Sequence, residues 1–384
     1  MRFVIDARPA LDPRRTGVGH YVDRQLHHLP LVGPDDAYVA WYLHAKGLFR
    51  SRTFFDDVEA SNLSEEASRF PARVFEPVSS RLSFPRVERL AGRFDALLAT
   101  NFLPPATGSR AVVLVVHDLA FRVLPETAPH HDARWDRRFR RWLKRAARVI
   151  VPSEAAKADL VAFEDVDPAR VVAVHHGVDR WIPPPPADVG DTRRRMDLEG
   201  PFALFVGGIE PRKNLEALVE AFARVRTDAK LVVAGGRVNW FPEASEALEA
   251  KVAALPAAVR DRIVLTGYLP EADKRALLAG ATALVYPSRY EGFGFPVLEG
   301  MAAGVPVLTS TVSSLPEVAG EAAVLVDPNE VDAIADGIAR LLGDEGLRAT
   351  LAEAGRARAA TFTWEASARA TAEVLRAAAA VGPE

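Results

Sequence analysis

The stretch YPSRYEGFGFPVLEGMAAGVPVLTS, residues 286–310, reads as a complete strand–turn–helix–strand unit. It starts at the end of an apolar strand, Ala283–Tyr286, and finishes in a second, Val305–Leu308. Glycines 292 and 294 in the turn let backbone N–H groups approach a ligand with no Cβ in the way. Pro296 suits the first helical position, where a missing N–H costs nothing. The helix start so opened has free N–H donors and partial positive charge, which suits a phosphate. Glu291 and Glu299 flank the turn and can accept hydrogen bonds from hydroxyl groups. Two glutamates near a helix start can also be surface residues favoured by the dipole. These two bracket Phe293, Phe295, Val297 and Leu298, and acids in apolar surroundings need partners. The ligand reading is therefore preferred, for a molecule that is part phosphate and part sugar.

Outward from this unit, short apolar runs alternate with longer amphipathic stretches along the whole chain. That alternation predicts βα units and mainly parallel sheets, an α/β fold. Strands are expected at Phe3–Asp6, Tyr38–Tyr42, Ala96–Ala99, Ala111–Val116, Val149–Val151 and Val171–Val174 in the first half. In the second half they are expected at Phe202–Val206, Lys230–Ala234, Ile263–Thr266, Ala283–Tyr286, Val305–Leu308 and Ala323–Val326. Each half has enough strands for its own doubly wound sheet. At 384 residues the chain is too long for one ordinary core. The prolines at 183–186 cannot continue a helix or a central strand, so they mark a connector. The expected division is 1–182, 183–365, and a closing segment at 366–384.

Composition limits the function classes. Apolar content of 49% and charged content of 26% describe a globular protein, and a net charge of −3 gives no reason to expect nucleic-acid binding. The absence of cysteine excludes disulfides and thiolate metal sites and fits a reducing cytoplasm. No stretch approaches the ~18 apolar residues of a membrane span. The expectation is a soluble, cytoplasmic, two-domain protein.

In open α/β sheets ligands sit beyond the carboxyl ends of the strands. The unusual residues fall there: Gly17 and Gly19 in the loop after the first strand, His117-Asp118, Gly207-Gly208, Glu291, and Thr309-Ser310. Loops of both halves are expected to line one interdomain cleft. In FVGGIEPRKNL (205–215) a glycine turn leads to a helix with Asn214 as its expected N-cap. Alone, Arg212-Lys213 reads as a solvated basic turn. Beside the Glu291 segment it reads as a diphosphate grip. GxxxxGK[ST] occurs nowhere, so this is not a Walker A loop. His117 alone reads as structural, but at a strand end it can also donate to a sugar hydroxyl near a reacting carbon. His175-His176 reads as structural. RWDRRFRRWLKRAAR (134–148) reads first as an amphipathic helix packed on the sheet with a solvated basic face. The sharper alternative is a dock for anionic lipid headgroups or an acidic acceptor.

Together these residues resemble the family 4 glycosyltransferases of the GT-B fold, over nearly the whole chain. The E-x7-E motif EGFGFPVLE (291–299) carries most of the resemblance, followed by GMAAGVPV (300–307) and SSLPEVAGEAAVLVDP (313–328). GGIEPRKNL, TGYLPEADKRALLAGA (266–281), VPSEAAKADL (151–160), HHGVD (175–179) and FTWEASA (362–368) are similar to recurring family blocks. TGVGHY (16–21) resembles the family's N-terminal glycine loop, with His20 where a basic residue is common. HDLAF (117–121) resembles bacterial polysaccharide enzymes that include many mannosyltransferases.

The resemblance implies two Rossmann-like domains facing across a cleft, the first binding the acceptor and the second the nucleotide-sugar donor. The closing helix would cross back onto the first domain. Arg212 and Lys213 would grip the diphosphate, Glu299 the ribose, and Glu291 with Gly292, Phe293 and Gly294 the donor hexose, with His117 on its other side. Gly17, Gly19, Gly208 and Tyr268 complete the implied donor site. Glu291, His117, Lys213 and Arg212 would be catalytic. The family retains anomeric configuration and needs no cofactor or divalent metal. GDP-mannose is the first expected donor, and a saccharide or lipid-linked molecule the acceptor. Peripheral contact with the inner face of the cell membrane would run through Arg134–Arg148. The rivals are an epimerase or phosphorylase of the same fold, and a non-catalytic sugar-nucleotide-binding protein. The loops at 48–64 and 121–132 carry no readable acceptor code.

Overall fold

The computed structural model describes residues 1–11, 16–43, 55, 58, 60–68, 84–127 and 132–381. Most of the 48–64 loop, and residues 128–131 of the second loop, lie outside these. The chain divides into two compact units. One comprises Met1–Leu119, His131–Gly177 and Thr363–Glu384; the other comprises Ala120–His130 and Val178–Phe362.

Among the described residues the first unit holds a parallel seven-stranded sheet, ordered β3-β2-β1-β4-β5-β6-β7. Its strands are β1 (Arg2–Asp6), β2 (Ala37–Leu43), β3 (Leu63–Ser68), β4 (Ala96–Ala99), β5 (Val112–Val115), β6 (Arg148–Val151) and β7 (Val171–Ala173). β3 was not expected, because LSEEAS has no apolar alternation. It is an edge strand whose polar groups are paired instead: Tyr42 OH donates to Glu65 at 2.6 Å and Trp41 Nε1 to Ser68 at 2.9 Å. The second unit holds a parallel six-stranded sheet, β10-β9-β8-β11-β12-β13. These strands are β8 (Phe202–Val206), β9 (Lys230–Ala234), β10 (Ile263–Gly267), β11 (Ala283–Tyr286), β12 (Val307–Ser310) and β13 (Ala323–Val326). β12 starts two residues later than expected. Gly304, left-handed at φ 72°, ends the preceding helix, and Val305 N donates back to Gly300 O at 2.9 Å. Val305 and Pro306 therefore belong to the cap.

Besides the Ala120–His130 excursion, the units meet in sequence at Gly177–Val178 and Phe362–Thr363, where 182/183 and 365/366 were expected. Local bonds account for both shifts. Val178 N donates to Phe362 O at 3.0 Å within the second unit. The Arg275 guanidinium lies 4.7 Å from the Trp181 ring centre, so the segment before the prolines is already anchored there. Thr363 begins the closing helix Trp364–Ala379, its Oγ1 accepting from Ala366 N at 3.1 Å. That helix buries Trp364, Ala368, Ala372, Leu375 and Ala378 in the first unit. Gln25 on the Gly17–Val32 helix donates to its Ser367 at 3.0 Å.

Candidate active site

In the second sheet, β8 and β11 are neighbours whose chain connections leave in opposite directions, which makes this pair the switch point where α/β sheets place ligands. The loop after β8 delivers Arg212 and Lys213; the loop after β11 delivers Glu291. The three side chains meet. Lys213 Nζ donates to Glu291 Oε1 at 2.5 Å and Arg212 Nη1 to Oε2 at 2.7 Å. Oε1 also accepts from Tyr286 OH and Ser288 Oγ, each at 2.8 Å. Lys213 Nζ donates in turn to Tyr286 OH at 2.6 Å, and Arg212 Nε to Glu210 at 2.8 Å. Two cations and two carboxylates thus form a neutral cluster.

This cluster is buried: Lys213 and Glu291 are each 7% exposed. Burial alone would raise the Glu291 carboxyl; Arg212 and Lys213 more than reverse this and hold it at about 2. Burial and the neighbouring Arg212 charge pull the Lys213 ammonium down, against Glu291. Burial, then the Glu291 charge, push the Tyr286 phenol well up, so it stays a neutral donor. Tyr286, Ser288 and Glu210 were missed from sequence. Tyr286 had a signal: it is the one polar group ending an apolar strand five residues before Glu291.

The turn after Glu291 is pinned from the loop beyond β12. Ser313 Oγ accepts from Glu291 N at 3.0 Å, and buried Ser314 Oγ lies 2.8 Å from both Glu291 O and Phe293 O. Gly294 is left-handed at φ 110°, and a Cβ there would sit 2.9 Å from Leu315. Gly292 and Phe293 lie within the same turn. The following helix is Phe295–Ala303, so Pro296 is its second residue, not its first. Glu299 on this helix faces Lys274, 3.4 Å away, a partner missed from sequence. Burial would lower the Lys274 ammonium; Glu299 and Glu271 raise it overall. Gly208 is packed beside Val238, and Tyr268 stands 67% exposed just beyond β10.

Asn214 departs from expectation. It precedes the Leu215–Arg224 helix in a left-handed conformation, φ 62°, and its side chain makes no capping bond. Its Nδ2 donates instead to Pro287 O at 3.1 Å and Pro328 O at 2.7 Å, tying together the loops beyond β11 and β13.

In the first unit Gly17 and Gly19 lie within a helix rather than a loop. Gly17 is the first residue of Gly17–Val32, capped by Thr16 Oγ1. Gly19 is small because a Cβ would meet Pro9 O at 2.8 Å. His117 follows β5; its Nε2 lies 2.7 Å from Thr100 O, and its ring packs edge-on to Tyr21 at 5.3 Å. Burial lowers the His117 imidazole, so the neutral form is favoured. His176 is 6.0 Å from it, ring to ring, and stacks on Trp364 at 6.2 Å. The basic segment forms the helix Ala133–Arg145, burying Phe139 and Leu143 and half-burying Trp135 and Trp142. Among the described residues no helix is long and apolar enough to cross a membrane, and no group of three or more His, Asp or Glu is placed to hold a metal.

The chain matches the family description "Glycosyl transferases group 1" over residues 192–358 and "Glycosyltransferase Family 4" over residues 40–181. It is 29% identical over 385 residues to the O-antigen chain mannosyltransferase B of Escherichia coli, covering 95% of this chain and 97% of that one. The structure of Anabaena HepE in complex with UDP and glucose matches at TM-score 0.74 and 17% identity, over 98% of this chain and 99% of that one. Sucrose-phosphate synthase from Thermosynechococcus elongatus matches at 0.75 and 21%, over the whole of both. Two parallel α/β sheets of this kind are the GT-B architecture of glycosyltransferases. The chain belongs to glycosyltransferase family 4, the glycosyl transferases of group 1.

Proposed function

We propose that this enzyme is a retaining hexosyltransferase that moves mannose from GDP-mannose to a saccharide or lipid-linked acceptor in polysaccharide or glycoconjugate synthesis. The observation carrying the donor reading is the convergence of Arg212, Lys213 and Glu291 beyond β8 and β11. The choice of mannose rests on the likeness to the E. coli mannosyltransferase; the epimerase and phosphorylase readings are not favoured by the similarities.

In this reading Arg212 and Lys213 stabilise charge developing on the leaving diphosphate, with the Phe295–Ala303 helix start adding N–H donors. Such cations supply what a divalent metal would otherwise provide, so no metal is required. Glu291 and the backbone of Gly292–Gly294 hold the hexose, and Glu299 the ribose. Tyr268 and Gly208 border the donor in the second unit; Gly17, Gly19 and neutral His117 are the first unit's residues that the family resemblance assigns to donor handling. The bond between the anomeric carbon and the diphosphate oxygen breaks as the acceptor oxygen bonds that carbon on the same face. The acceptor's proton passes to the departing phosphate. Peripheral contact with an anionic membrane runs through Arg134–Arg148.

The test pairs a thermal-shift screen of GDP, UDP and dTDP with transfer of labelled sugar from GDP-mannose, UDP-glucose and dTDP-rhamnose. A saturating ligand at a hundredfold excess over Kd adds about 2.7 kcal/mol. GDP should stabilise most, and Arg212→Ala and Lys213→Ala should each lose on the order of a hundredfold in transfer. Near-normal turnover in both variants overturns the site. Preference for another donor overturns mannose alone.

A further inference from the structure

The run SSLPEVAGEAAVLVDP begins with two hydroxyls, Ser313 and Ser314, to which the proposed chemistry gives no role. Both lie in the loop after β12, and both reach across to the loop after β11. Ser313 has a left-handed backbone, φ 54°, which a residue other than glycine rarely adopts and which its surroundings must hold in place. Ser314 precedes the short helix Leu315–Ala319, yet its side chain makes no capping bond there. It is fully buried, and its Oγ lies 2.8 Å from both Glu291 O and Phe293 O. Carbonyl oxygens only accept, so the one Ser314 hydroxyl proton is shared between them. A strained backbone at one serine and a hydroxyl withdrawn from a helix start at the next are thus directed at the same segment, 291–293.

The effect of those bonds follows from peptide geometry. In a trans peptide the C=O and the N–H of one unit point in opposite directions. The unit before Glu291 shows this: Glu291 N donates to Ser313 Oγ at 3.0 Å, while Tyr290 O, facing the other way, accepts from Arg212 Nη1 at 3.1 Å. The units after Glu291 and after Phe293 are held the other way round. Their carbonyls turn towards Ser314, so their N–H groups, on Gly292 and Gly294, turn away from it. One hydroxyl thereby sets the direction of two amide donors. Leu315, next to Ser314, completes the template, since a Cβ on Gly294 would sit 2.9 Å from it.

We propose that Ser313 and Ser314 are positioning residues for the transferred hexose. They hold the Glu291–Gly294 backbone so that its amide donors, that of Gly294 foremost, meet hydroxyl oxygens of the sugar. The role rests on the reading of this turn as the hexose-holding part of the donor site. It concerns the sugar and not the diphosphate, because among the described residues neither serine bonds Arg212 or Lys213.

The experiment compares wild type with Ser314→Ala, Ser313→Gly and Lys213→Ala in the whole chain. Ser313→Gly removes a hydroxyl at a backbone conformation that glycine adopts freely, so it tests the bond without adding strain. Each protein is titrated calorimetrically with GDP, assayed for kcat and KM with GDP-mannose, and melted; UDP and UDP-glucose replace these where wild type prefers them. Both serine variants should lose on the order of tenfold in kcat while keeping nucleoside diphosphate affinity within about twofold of wild type. Lys213→Ala should lose nucleoside diphosphate affinity as well as turnover. If Lys213→Ala binds and transfers as wild type does, the donor-site reading itself is overturned. If Lys213→Ala behaves as expected, three results overturn the role of the serines and leave the donor site standing. These are serine variants with wild-type turnover, variants that lose nucleoside diphosphate affinity as much as turnover, and variants that lose melting temperature alone.

Discussion

Replacing Glu291 with Gln keeps the shape and leaves an oxygen for Tyr286 and Ser288, but removes the charge facing Arg212 and Lys213. The cost follows from the carboxyl's displacement. A fall from the usual 4.5 to about 2 corresponds, at about 1.4 kcal/mol per unit, to about 3 kcal/mol. This agrees with the ~3–5 kcal/mol for breaking a buried ion pair from one side. For a unit of this size the melting transition should fall by roughly 6–12 °C at pH 7. The pH dependence gives the sharper check. A carboxyl whose folded value is depressed stabilises the fold fully above its unfolded value, and that contribution disappears as pH falls through the folded value. The gap between wild type and Glu291→Gln should therefore be complete at pH 6–7, about half at pH 3, and absent near pH 2. Calorimetry of both proteins across this range measures it. A variant melting within about 2 °C of wild type at pH 7, or a gap that does not change with pH, refutes the charge cluster as a source of stability. If the proposed donor site is correct, a nucleoside diphosphate supplies the missing negative charge and raises the melting point of Glu291→Gln more than that of wild type.

Three further outcomes follow from individual residues. Asn214→Asp should be more destabilising than Asn214→Ala in urea unfolding, because a carboxylate would face the Pro287 and Pro328 carbonyls that now accept hydrogen bonds; a true N-cap would give the opposite order. Gly294→Ala should cost roughly 1–3 kcal/mol through its left-handed backbone and the Leu315 contact, and should also weaken donor binding in a calorimetric titration. Lys274→Met should leave stability within about 1 kcal/mol, since Glu299 is partly exposed, while shifting nucleoside diphosphate affinity if Glu299 meets the ribose.

Where sequence reading succeeded and failed follows from the range of the interactions. Ala283–Tyr286 and Phe202–Val206 are buried on both faces, so their apolar runs mark them without tertiary knowledge. β3 escaped because its stability comes from partners on β2, Trp41 and Tyr42, twenty or more residues away in the chain. Asn214 illustrates the same limit at one residue. Its type and position before a helix fit a cap, yet two carbonyls from distant loops compete for its amide and win. The candidate site shows both behaviours. Arg212, Lys213 and Glu291 were legible as candidates because glycine turns at the ends of buried strands place charge where the strand order of a parallel sheet reverses. Their mutual pairing was not, because local sequence says nothing about which loops become neighbours in strand order. A buried carboxylate bonded to both cations holds them aimed at one place. If the proposed donor site is correct, an incoming diphosphate must compete with Glu291 for Arg212 and Lys213, and donor affinity and the stability of the second unit would then be set by one cluster.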